Sequence, residues 1–327
     1  MMEESANFPA RLLLAFALAI AACPAPAQQV YPARTIRFIT PYPPGGGTTL
    51  VARLVGQKLA ESWGQQVIVD NRPGGNTIIG TEAVAKAPPD GYTILLIGNT
   101  QIINDLLLHP PYDVLTAFAP VSLLVRNNYI LVINPVLPPN SLQEFIAYAR
   151  SRPGQLNVAS TGSGSGQHLM GEQFNLVAGV KLQHVPYKGG AQGVTDLLGG
   201  QVQASFSNTV AVIPHIKSGK LKALAVTGEK RLAALPQLST YAEAGLPDYD
   251  PKNWLGIAAP AGTPKDIVAR ISAEVGKVLA MPSIMDTLSS YGQEPYFGTA
   301  DQLAAQMKSD HAEYARVIRV ANIRLEE

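Results

Sequence analysis

Pro41-Tyr42-Pro43-Pro44-Gly45-Gly46-Gly47-Thr48-Thr49 separates an apolar run at 35–40 from a helix-like stretch that starts near Leu50. Pro43 and Pro44 have a locked φ and no N–H, while Gly45, Gly46 and Gly47 reach backbone conformations closed to other residues. A strand, a glycine loop and a helix N-terminus in that order bring unpaired N–H groups and a partial positive charge together. The stretch is therefore either an anion cradle or an ordinary strand-to-helix turn.

The chain repeats the pattern. Leu156-Asn157-Val158-Ala159-Ser160 reads as a strand, Thr161-Gly162-Ser163-Gly164-Ser165-Gly166-Gln167-His168 as a donor-rich loop, and a helix follows to about Val177. Around these two units, strands alternate with helices of about 10–15 residues, which predicts βαβ units and mostly parallel sheets. From residue 50 the spacing is helical: Leu50, Val51, Leu54, Val55, Leu59 and Trp63 recur before Gly64. Val67-Ile68-Val69 reads as a short buried strand, and 92–97 as another that ends in the loop Gly98-Asn99-Thr100. Ser141 and Glu144 have capping-box spacing, and Thr263-Pro264 reads as a cap followed by proline at the first helical position. In open α/β sheets ligands sit beyond the carboxyl ends of the strands, so the glycine loops predict the site.

At 327 residues and 46% hydrophobic content, the chain can build one large or two medium α/β domains. Its net charge is +1, with no basic cluster, so nucleic acid is not an expected partner. Arg11 precedes an apolar run at 12–22, and Ala25-Pro26-Ala27 has small-x-small spacing. Residues 1–27 thus read as a secretory signal peptide cleaved near Ala27, giving a soluble periplasmic protein. A lipoprotein signal with an anchor at Cys23 is the alternative. Cys23 is the one cysteine, so disulfides play no part in the mature chain.

Catalytic and cofactor motifs are missing. No Lys follows the first glycines as a P-loop needs, no G-x-G-x-x-G is present, and neither loop spells G-x-S-x-G. Ser165 and His168, three apart at a helix start, read as capping. The histidines 109, 168, 184, 215 and 311 are scattered and form no metal motif. No cofactor is expected. What remains is binding: a carboxylated solute held by backbone amides and Ser/Thr hydroxyls, with Lys188 as a nearby cation or a solvated loop lysine.

Further marks carry a family likeness: Asn71-Arg72-Pro73-Gly74-Gly75, Pro89-Asp90-Gly91-Tyr92-Thr93, Phe118-Ala119-Pro120-Val121-Ser122, His184-Val185-Pro186-Tyr187-Lys188-Gly189 and Ala259-Pro260-Ala261-Gly262-Thr263-Pro264. With the opening loop, they resemble the receptors of tripartite tricarboxylate transporters (Bug receptors) over essentially the whole mature chain. The resemblance implies an α/β, two-domain periplasmic-binding-protein (flytrap) fold, each domain a mostly parallel sheet flanked by helices, with two interdomain crossovers. Domain 1 would comprise 30–127 plus 251–327, and domain 2 would comprise 128–250. It implies a monomer that binds a small carboxylate solute between the domains and delivers it to the transporter's membrane subunits. A receptor reporting to a signalling partner, or an enzyme acting on small acids, are the rival roles. The expected ligand-binding residues are Pro44, Gly45, Gly46, Thr48 and Thr49 on one side, and Thr161, Gly162, Ser163, Ser165, His168, Lys188, Ser207 and Asn208 on the other. Thr49 and Ser207 stand where the family usually has acidic residues, which implies a less negative site and a ligand without an amino group.

Overall fold

The computed structural model describes residues 31–324 except 46, 188 and 252; the signal-sequence reading, Gly46 and Lys188 fall outside the described residues. The chain runs β1 (Ile36–Thr40), α1 (Gly47–Trp63), β2 (Val67–Asn71), α2 (Ile78–Ala85), β3 (Thr93–Gly98), α3 (Asn99–Leu108) and β4 (Phe118–Asn127). It continues through β5 (Tyr129–Ile133), α4 (Leu142–Arg150), β6 (Asn157–Ser160), α5 (Gly166–Ala178), β7 (Gln183–Pro186), α6 (Gly190–Leu198), β8 (Ala204–Asn208), α7 (Thr209–Lys217) and β9 (Lys222–Val226). It closes with β10 (Trp254–Pro260), α8 (Lys265–Leu279), α9 (Pro282–Ser290), β11 (Gln293–Gly298) and α10 (Ala300–Val320).

Two sheets result. The first has the order β11-β4-β10-β3-β1-β2, the second β7-β6-β8-β5-β9. β1 is apolar at Ile36, Phe38 and Ile39 because both its faces are covered, and it pairs in parallel with β2 and β3. β2 has only one neighbour, so Ile68 is half exposed and the strand is an edge rather than the buried strand its sequence predicts.

The expected mostly parallel sheets are mixed. β10 runs antiparallel to both β3 and β4, and β5 antiparallel to both β8 and β9. The reason is topological: these strands follow the two crossings between the sheets and enter from the opposite end. One crossing is a single residue, Asn128, between β4 and β5. The other returns the chain from β9 to β10, and the two lie side by side, with Asn127 N–H donating to the Asn253 carbonyl at 2.8 Å.

Local chemistry sets most boundaries. Ser141 Oγ accepts the Glu144 N–H at 3.2 Å, and the Glu144 carboxylate accepts the Asn140 N–H at 2.8 Å, one residue before the cap. The cap of α8 is Pro264 instead of Thr263; Thr263 Oγ1 donates to the Pro260 carbonyl at 2.8 Å and closes the turn before it. Gly98 leads straight into α3, so Asn99 and Thr100 open a helix rather than a loop. β11 is an edge strand carrying Pro295, a residue that such strands tolerate because one side needs no N–H.

Under the second sheet, Phe174 packs edge-on against Tyr249 (centroids 5.3 Å apart, 83°) and Phe206 (5.5 Å, 60°). Phe174 is fully buried. Phe174→Ala should therefore lower unfolding free energy by about 3–5 kcal/mol, read from urea denaturation with an unchanged m-value.

Candidate functional site

Two adjoining cavities lie at the strand ends where the sheets meet. One of about 200 Å³ is lined on the second sheet's side by Tyr129, Ser160, Thr161, Gln167, Gly190, Val194, Ser205, Ser207 and Asn208, among others. The other, about 170 Å³, is lined by Tyr42, Gly47, Thr48, Asn99, Thr100, Asn127, Asn253, Trp254 and Gln293, again with Tyr129 and Asn208. The shared residues make one cleft of the two. Tyr129 starts β5 directly after the first crossing, which is why it faces both halves.

Among the described residues, no lining side chain is charged. Positive potential comes instead from backbone. Gly47 and Thr48 open α1, Asn99 and Thr100 open α3, Gln167 is in the first turn of α5, Gly190 starts α6, and Asn208 caps α7. None of these five helices has an acidic residue in its first turn. Away from the cleft, α4, α8 and α10 carry Glu144, Asp266 and Asp301 in their first turns, while α2 and α9 carry no acid there. A first-turn carboxylate normally stabilises a helix, so leaving it out at the cleft keeps the N-terminal charge unsatisfied for a bound anion.

The strand Ala204-Ser205-Phe206-Ser207-Asn208 shows how the sequence builds a wall. Ala204 and Phe206 point into the aromatic core, while Ser205 and Ser207 point to the cleft, with Ser207 Oγ donating to Ser205 Oγ at 2.9 Å. Tyr42 and Tyr129 supply phenol groups. Burial raises the pKa of both, that of Tyr129 to about 12, so they stay protonated at neutral pH. Tyr42 OH donates to Gln101 Oε1 at 3.3 Å, and the same oxygen accepts the Gly98 N–H at 2.8 Å, fixing the start of α3.

Of the residues expected from sequence, Thr48, Thr161, Ser207 and Asn208 line the cleft. Pro44, Gly45 and Ser163 are exposed, and they and the half-buried Gly162 are not among its lining. Thr49 is only 2% exposed and faces away: its Oγ1 donates to the Pro43 carbonyl at 3.3 Å and accepts from Asn71 Nδ2 at 2.9 Å, tying the first glycine loop to the end of β2. Ser165 caps α5 by accepting the His168 N–H, as its spacing predicts. Tyr42, Tyr129, Ser205, Asn127, Asn253 and Gln293 were not expected. The alternation of serines in β8 is a signal that could have found Ser205, and Tyr42 stands within the opening loop itself; the others come from the crossings and from β11, whose sequence gives no strand pattern.

His168 supports the second loop from behind. Its ring stacks on His184 at 3.6 Å and 7°, and its Nδ1 accepts the Gly164 N–H at 3.1 Å. His184 Nε2 is hydrogen-bonded to Ser160 Oγ at 2.6 Å, and Ser160 lines the cleft. Burial lowers both imidazole pKa values to about 4, and for His184 the neighbouring His168 adds to the effect. The Glu172 carboxylate is 3.9 Å from His168 Nε2, beyond hydrogen-bond reach, and burial raises its own pKa. The pair is thus neutral in the folded protein.

The two-domain α/β architecture is that of periplasmic binding proteins. Residues 51–323 match the family described as tripartite tricarboxylate transporter family receptor, and the chain belongs to that family. It is similar to Protein BugT of Bordetella pertussis, 38% identical over 298 residues that cover 90% of this chain and 91% of BugT. Among solved structures it is similar to an R. palustris protein with adipate, at 35% identity and TM-score 0.78, covering 90% of this chain and 99% of that one. It is also similar to the periplasmic binding protein BugD, at 33% identity and TM-score 0.75, covering 90% of this chain and all 100% of BugD. The receptor role read from sequence, and the absence of an enzymatic one, agree with this membership.

The histidine pair gives a signed pH dependence. Unfolded imidazoles titrate near 6.5 and the folded ones near 4, so the unfolded state binds more protons between those values. Stability from the pair is complete above about pH 6.5 and is lost as pH falls toward 4. Thermal midpoints measured by circular dichroism should fall across that window, and less steeply in His168→Gln.

Proposed function

We propose that this receptor binds a small carboxylate in the cleft and passes it to the membrane subunits of a tripartite transporter. The two lobes of the trap are 30–127 plus 251–327 and 128–250, since the sheets divide at those crossings. The protein works as a monomer in the periplasm after cleavage near Ala27. Among the described residues, no helix is long and apolar enough to cross a membrane.

One observation carries the reading. Five helix N-termini without acidic first turns meet in a cleft whose described lining has no charged side chain. Such a site holds an anion through N–H and O–H donors, each charge-assisted bond contributing about 1.5–3 kcal/mol. An ammonium group gains nothing there, because the same dipoles repel it. The solved relative with adipate supports a carboxylate ligand.

Closure follows from contacts to both lobes, because a ligand shifts a two-state hinge only by touching what differs between the states. Thr48 and Thr161 line opposite halves. Isothermal titration with a panel of di- and tricarboxylates should find a micromolar ligand, and small-angle scattering should show compaction when it binds. Thr100→Asp puts a carboxylate at the first turn of α3 and should weaken that ligand at least about tenfold. Unchanged affinity in Thr100→Asp would count against the anion site.

A further inference from the structure

Helix α5 packs on the second sheet, yet only part of its apolar surface faces that sheet. Met170, Phe174 and Ala178, spaced by four, sit in the aromatic core. Leu169, one position round the helix, leaves that core and joins Ile103 of α3, Val317 of α10 and Ile323 just beyond α10. The other two helices divide their faces in the same way. Ile102 of α3, and Leu303 and Met307 of α10, belong to the first sheet's core, whereas Ile103 with Leu107, and Tyr314 with Val317, turn to the seam. Leu169 is 1% exposed and Ile103 fully buried, and the seam residues that cover Leu169 come from helices of the first sheet. Gln173, one turn after Leu169, closes the edge. Its Nε2 donates to Glu313 Oε1 at 3.3 Å, an oxygen that also accepts from Arg316 Nη2 at 2.8 Å.

The seam and the cleft are carried by the same helices. Gln167 of α5 and Asn99 and Thr100 of α3 line the cleft. Leu169 follows Gln167 by two residues and Ile103 follows Asn99 by four, so each seam contact lies about 3–6 Å along its helix from a cleft residue. Over that distance a helix moves as a rigid rod. A rotation that draws the first turn of α5 away from α3 also lifts Leu169 off Ile103. In the ligand-free receptor the helix N-termini around the cleft face one another with like partial charge, which pushes the two halves apart. Apolar burial does not depend on charge, so the seam opposes that repulsion with or without a ligand.

We infer that Leu169 and Ile103 are positioning residues for ligand capture: their contact, flanked by Gln173 and Glu313, holds the donor end of α5 to that of α3 and sets how readily the two halves close. This rests on the cleft being the solute site and adds how its halves are brought together. None of the four lines the cleft. They act through the population of the ligand-competent arrangement, which scales the apparent affinity.

Small-angle scattering of the ligand-free receptor reads the seam directly. Leu169→Ala empties the contact, and Gln173→Glu sets a second carboxylate against Glu313; each should raise the radius of gyration above the wild-type value. Leu169→Met conserves volume and should restore it. Gln173→Lys replaces repulsion by attraction and should leave the receptor as compact as wild type, with the Glu/Lys contrast fading in high salt. Isothermal titration with the panel of di- and tricarboxylates, adipate and malate among them, then reads the consequence. Whichever acid binds wild type should bind Leu169→Ala about tenfold and Gln173→Glu about threefold more weakly. Wild-type compactness in both variants overturns the inference, and so does affinity equal to or tighter than that of wild type. Expansion as stated, with no acid of the panel bound by wild type, keeps the seam and overturns the carboxylate reading instead. Gln173 is half-buried at the edge of the seam, so Gln173→Glu decides the matter should Leu169→Ala fail to fold.

Discussion

The backbone pairing of Asn127 with Asn253 is the constraint on which the rest depends. It holds the two crossings between the sheets side by side, with Asn127 Nδ2 also donating to Asn253 Oδ1 at 2.8 Å. Each crossing ends in a strand, β5 after Asn128 and β10 after Asn253, that enters its sheet against the direction of its neighbours. The mixed sheets are therefore a consequence of crossing twice. With the crossings together, the strand ends that carry helix N-termini face the same space, and the cleft forms beside the crossings from both sheets.

Among the described residues, the electrostatics of that space come from backbone rather than from charged side chains. A cation in the cleft would bind an anion more strongly at first contact, but a long Lys or Arg side chain must be ordered to do so. Helix N-termini are ordered already by the fold and present N–H groups at fixed positions. The supporting residues work in the same direction. Gln101 holds Gly98 and Tyr42, Asn71 and Thr49 hold the first glycine loop, and the neutral His168–His184 stack holds the second through Gly164 and Ser160. Each supporting bond is local, yet together they keep the donors aimed with no charged side chain among the described lining residues.

Much of this was legible in the residues. The two strand–glycine–helix units, the hydrophobic periodicity of α1 and the cap at Ser165 are short-range patterns, and local chemistry settles them. Thr48, Thr161, Ser207 and Asn208, which line the cleft, were expected there because glycine-rich loops and strand ends announce themselves. Thr49 reads as a neighbour of the same kind, but in an α-helix successive side chains differ by about 100°, and that rotation turns it inward to Asn71 and Pro43. β11 was illegible because Gln293-Glu294-Pro295 lacks the alternation of a strand; its pairing with β4 alone makes it one.

The sequence by itself determined most of the elements, the donor-rich loops and the lack of a catalytic or cofactor motif, since these depend on neighbours within a few positions. Only the tertiary structure decided that Tyr42, Tyr129, Asn127, Asn253 and Gln293 share one cleft. Their meeting depends on the side-by-side crossings and on an edge strand, contacts between residues far apart in the chain that no local pattern encodes.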